Sequence, residues 1–65
     1  MNINIIEEKR KQKRISVTEL CKAAEIDRST YYKYMRNPDK MRISTWQSIA
    51  DYLGMTVQER KESLK

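Results

Sequence analysis

The stretch SVTELCKAAEIDRSTYYKYMRN, residues 16–37, carries two capped amphipathic segments separated by a short turn. Ser16 suits a helix N-cap, because its hydroxyl oxygen can accept a free first-turn N–H, and Glu19 completes an S-x-x-E capping box. Leu20, Cys21 and Ala24 then recur at helical spacing. After Glu25 and Ile26, Asp27 can cap a second helix: its carboxylate faces the N–H groups of Ser29 or Thr30 and sits at the positive end of the helix dipole. The stretch NPDK, residues 37–40, ends that helix near Arg36, since a residue before proline avoids the α region and proline has no donor.

The flanking sequence extends the same pattern. Residues 3–14 carry Ile3 and Ile6 and then the basic run KRKQKR (Lys9 to Arg14), whose helix-forming residues predict a first helix. STWQ, Ser44 to Gln47, reads as a capping box ahead of Trp46, Ile49, Ala50 and Leu53, and Gly54 supplies a left-handed C-cap. TVQE, Thr56 to Glu59, opens a last short helix with Val57 and Leu64 on one side. The expected fold is all-α, a compact bundle of about five short helices forming a single domain over residues 1–65, as a hydrophobic content of 38% with one Gly and one Pro allows.

Composition narrows the function. Fourteen Lys plus Arg against nine Asp plus Glu leave a net charge of +5 and a pI near 9.6, which favours a polyanionic partner. With no His and no Gly-rich phosphate loop, and with carboxylates that stand singly beside Lys and Arg, neither catalysis nor a metal or cofactor site is expected. The single Cys21 excludes an internal disulfide framework and reads as a buried small hydrophobe, and no apolar run suits a membrane span or signal peptide. The chain reads as cytoplasmic.

Two helices joined by a tight turn, the second rich in surface polar groups, describe a helix-turn-helix, whose second helix enters the DNA major groove. The order of residues resembles the Cro and phage-repressor-like (XRE-type) family. Ser16, Leu20, Cys21, Ile26, Asp27, Tyr31 and Tyr34 occupy the family's cap, packing and turn places. Ile6 and Arg10 fit its first helix, and Ile49, Ala50, Leu53 and Gly54 fit its I-A-x-x-L-G fourth helix. Three positions depart from that pattern. Glu25 stands where the family usually has a turn Gly, and a non-Gly residue at positive φ costs on the order of 1 kcal/mol, which leaves the turn geometry open. Met35 replaces a frequent acidic partner of Arg10, freeing Arg10 for solvent or a phosphate. Val17 replaces a Gln that commonly contacts the DNA backbone.

Helical geometry divides the helix after Asp27 into two faces. Tyr31 and Tyr34 point with Ile26 toward the preceding helix, whereas Arg28, Ser29, Tyr32 and Lys33 share the opposite face. That second face is the expected base-reading surface: Arg28 and Lys33 can donate to guanine O6 and N7, and Tyr32 can meet a thymine methyl or a phosphate. Arg36, Lys40 and Arg42 around the helix exit, with Arg10, Ser16 and Ser44, form the expected phosphate-binding set. Val57 and Leu64 are the candidates for a homodimer interface, formed at least on DNA, with an inverted-repeat operator on double-stranded DNA as the partner. The function this implies is a sequence-specific transcriptional regulator of the phage or mobile-element repressor kind. The alternative is a protein-interaction module such as an antitoxin or antirepressor-like partner. The basic run could equally coat a solvated face, and RNA binding ranks last because an exposed aromatic platform is lacking.

Overall fold

The structure, a computed structural model, describes residues 1–65 as five α-helices and no strand. The helices are α1 (Asn4–Gln12), α2 (Val17–Ala24), α3 (Arg28–Arg36), α4 (Ile43–Leu53) and α5 (Val57–Leu64), with a 3-10 turn over Pro38–Lys40. α2 packs on α3 and α4, and α1 packs on α4 and α5. Their common core contains Ile6, Leu20, Cys21, Tyr31, Met41, Trp46, Ile49, Ala50, Leu53 and Met55. α4 contributes the largest share of this core and is the post against which the α2–α3 pair is held. Trp46 and Met41 are buried as a core aromatic and a gap filler.

Local chemistry explains where most helices begin. The Ser16 hydroxyl accepts the Glu19 N–H at 3.0 Å, and the Asp27 carboxylate accepts the Thr30 N–H at 2.8 Å. The Thr56–Glu59 box closes in both directions, at 3.1 and 2.9 Å. α4 departs from expectation. It starts at Ile43 with Arg42 as the extended N-cap residue and no side-chain cap, so Ser44 lies inside the first turn and the STWQ box does not form. The buried Met41, in extended conformation after the 3-10 turn, brings the chain into the helix earlier.

Three helices end alike. Arg14, Glu25 and Gly54 have φ of 57°, 58° and 65°. In each case the next residue's N–H reaches back to the fifth residue before it: Ile15 to Arg10 at 3.1 Å, Ile26 to Cys21 at 3.0 Å and Met55 to Ala50 at 3.0 Å. This is the Schellman arrangement, which satisfies the last helical carbonyls with one left-handed residue. Glu25 therefore adopts the turn that glycine would favour, and the helix-turn-helix geometry is kept at a cost in backbone strain. α1 stops at Gln12, short of the full basic run, because Arg14 takes the same conformation.

One contact ties the two ends of the chain together. The buried Trp46 Nε1 donates to Ser63 Oγ at 3.0 Å, and the Asn2 N–H donates to the Ser63 carbonyl at 2.7 Å. Ser63 is fully buried, so the inward face of α5 is fastened by polar contacts while Val57 and Leu64 turn outward.

Candidate nucleic-acid interface

α3 is amphipathic in the sense its sequence predicts. Tyr31 is fully buried and its hydroxyl donates to the Glu7 carboxylate on α1. Tyr34 and Ile26 are partly buried against the core. These contacts fix the rotation of the helix, so Arg28, Ser29, Tyr32 and Lys33 all face solvent. The Tyr32 ring, 49% exposed, meets the Tyr31 ring edge-on with centroids 6.0 Å apart, which steadies an otherwise free aromatic. Ser29 is partly committed, since its hydroxyl donates to Asp27 Oδ1 at 3.0 Å. Hydrogen bonds from Thr30, followed by that from Ser29, hold the Asp27 carboxyl below its ordinary range.

The cations around α3 are free of internal partners. The five ion pairs are Met1–Asp39, Lys9–Glu59, Arg10–Glu7, Arg60–Asp51 and Lys65–Glu62. None uses Arg28, Lys33, Arg36, Lys40 or Arg42, and all five of these side chains are exposed. An unpaired Arg or Lys keeps its full set of donors for an external acceptor. Beside them, Ala24, Glu25, Ile26, Tyr34, Arg42, Ser44, Thr45 and Ser48 line an open groove of about 460 Å³ between the α2–α3 turn and the start of α4. Ser44 is exposed there, with its carbonyl accepting from Ser48 Oγ at 3.1 Å. Ser16 uses its oxygen as acceptor in the cap of α2 and retains a hydroxyl proton to donate.

Arg10 is not free for solvent or a phosphate. Its Nε and Nη2 donate to the two Glu7 carboxylate oxygens at 3.2 and 2.8 Å, and its Nη1 donates to the Ile15 carbonyl at 2.8 Å. The lost acidic partner at Met35 is replaced by Glu7, one helical turn away on α1 itself. The Arg10 guanidinium lowers the Glu7 carboxyl pKa, and burial followed by the Glu7 hydrogen bond raises that of the Tyr31 hydroxyl. Arg10 thus joins α1, α3 and the α1–α2 corner. Glu7 was missed as a site-shaping residue, although its i,i+3 spacing from Arg10 was a usable signal.

Val57 and Leu64 are 70% and 48% exposed on one side of α5. Cys21 is buried, and burial raises its thiol pKa, in keeping with a packing role.

The fold and this surface define a helix-turn-helix protein. A family model described as Helix-turn-helix matches residues 6–60, and the chain belongs to that family, the Cro/C1-type (XRE) helix-turn-helix domains, which bind DNA and are typically non-enzymatic. No curated protein and no solved structure matches the chain. No helix is long and apolar enough to cross a membrane.

Proposed function

We propose that the chain is a sequence-specific transcriptional regulator, a repressor of the phage or mobile-element kind, that reads the major groove of double-stranded DNA with α3. The observation that carries this reading is the unpaired, exposed face of α3. Arg28 and Lys33 offer donors suited to guanine O6 and N7, Tyr32 offers a ring and a hydroxyl, and Ser29 tolerates several partners. Arg36, Lys40 and Arg42 flank that face and suit phosphates, as do the Ser16 and Ser44 hydroxyls.

One such module buries only about 600–1,000 Å² on DNA, too little for regulatory specificity alone, so the reading includes a homodimer on DNA. Val57 and Leu64 support this assignment, since two large apolar side chains exposed on one helix face are costly to leave in water and suited to a self-complementary contact. The operator is then an inverted repeat with half-sites about 34 Å apart. Selecting bound duplexes from a random pool and footprinting the winner tests both parts. The expected result is a consensus of two inverted half-sites, both protected. A pool that converges on no sequence contradicts the base-reading face, and a single protected half-site at saturation contradicts the dimer.

A further inference from the structure

The corner between α1 and α2 contains an arginine that neither packing nor pairing explains. Arg14 holds φ at 57°, a conformation that costs a non-glycine residue free energy and that glycine adopts without penalty. Its side chain is exposed and makes no ion pair or hydrogen bond. That conformation closes the end of α1, but the closure needs only a left-handed residue and not an arginine, so it is the exposed, unpaired side chain that the fold does not explain.

The corner is also rigid. Arg10 clamps the following residue from both sides: its carbonyl accepts the Ile15 N–H at 3.1 Å and its guanidinium donates to the Ile15 carbonyl at 2.8 Å. Arg14 therefore leaves a fixed turn rather than a fraying helix end. The neighbouring Lys13 is turned elsewhere, its Nζ lying 2.8 Å from the point a Cβ on Gly54 would occupy, over the C-terminal end of α4, where a cation is favoured. Arg10 is consumed by Glu7, and Val17 brings no polar side chain to the first turn of α2. Two residues of chain span at most about 7 Å, so the Arg14 backbone lies close to the Ser16 cap, and its side chain, unlike that of Arg10, is unpaired there.

We infer that Arg14 is a phosphate-anchoring residue, gripping the DNA backbone at the α2 end of the interface and supplying there the charge that Arg10 and Val17 do not. This rests on the DNA-binding reading above and adds a further anchoring residue to Arg36, Lys40 and Arg42. It also predicts an inverse relation between stability and binding at one residue.

The test compares Arg14→Gly, Arg14→Gln and Arg14→Lys in the full chain, by thermal melting and by titration of a selected duplex and a random duplex at several salt concentrations. Arg14→Gly should melt about 2–8 °C higher, because the left-handed residue is no longer strained. It should nevertheless bind both duplexes several-fold more weakly and lower the salt slope by about one unit. Arg14→Gln should lose the same binding without the gain in melting temperature, and Arg14→Lys should retain the wild-type slope. Salt slopes for Arg14→Gly and Arg14→Gln equal to that of the wild type would overturn the inference alone, provided the wild type still prefers its selected duplex. A wild-type chain that bound neither duplex would overturn the DNA-binding reading and this inference with it.

Discussion

At the residue scale, the molecule accepts backbone strain where a glycine would have removed it. Glu25 is the second such position: φ is 58° and the side chain is exposed at the turn between α2 and α3. The Schellman bonds it closes need a left-handed residue, and any L side chain there costs about 1–2 kcal/mol. Replacing it by Gly removes that strain but adds chain entropy to the unfolded state, at about 0.4–1 kcal/mol. Glu25→Gly should therefore stabilise the fold by about 0.5–1 kcal/mol in urea unfolding, with an unchanged m value. Equal or lower stability would mean that Glu25 makes a contribution the turn geometry does not reveal. Ser63 illustrates the opposite case, a polar residue whose burial is favourable because it gives Trp46 Nε1 its acceptor.

At the scale of elements, α3 is placed by its attachment to α1 through Glu7. That carboxylate accepts from Arg10 and from Tyr31, and the Arg10 hydrogen bond, the largest influence, lowers its pKa. A carboxyl whose folded pKa lies below its unfolded value, about 4.3 for Glu, contributes stability fully above that value. The contribution is lost as pH falls through the folded pKa. Stability should thus decline below about pH 5, and Glu7→Gln, already lacking the charge, should show a shallower decline when urea midpoints are compared at pH 6 and pH 3. Parallel declines in the two proteins would place the acid sensitivity elsewhere. The element boundaries were largely legible in the sequence, because Ser16, Asp27 and Thr56 carry caps whose chemistry is local. The start of α4 was not. The STWQ pattern imitates a cap, whereas the burial of Met41, a tertiary event, decides the entry. Glu7 was hidden for the same reason: beside Arg10 it reads as a surface pair until Tyr31 arrives from another helix. The outward face of α3 was legible because three tyrosines within residues 31–34 cannot all turn inward.

At the scale of the whole molecule, charge is divided between cations that hold the fold and cations that are free. Lys9, Arg10 and Arg60 are paired across or along helices, whereas Arg28, Lys33, Arg36, Lys40 and Arg42 gather unpaired on and after α3. Net charge alone would attract any polyanion; the proposed reading gives sequence recognition to the α3 face and backbone affinity to its margin. The most direct test is the binding of Arg28→Ala, beside Lys40→Ala and Arg42→Ala, to a selected duplex and a random one at several salt concentrations, with circular dichroism confirming the fold. Arg28→Ala should cost about 1–3 kcal/mol on the selected duplex and little on the random one, relaxing preference at one base position. The two loop variants should weaken both duplexes alike and lower the salt slope by about one unit each. A folded Arg28→Ala protein that lost selected and random binding equally would contradict the assignment of base reading to α3.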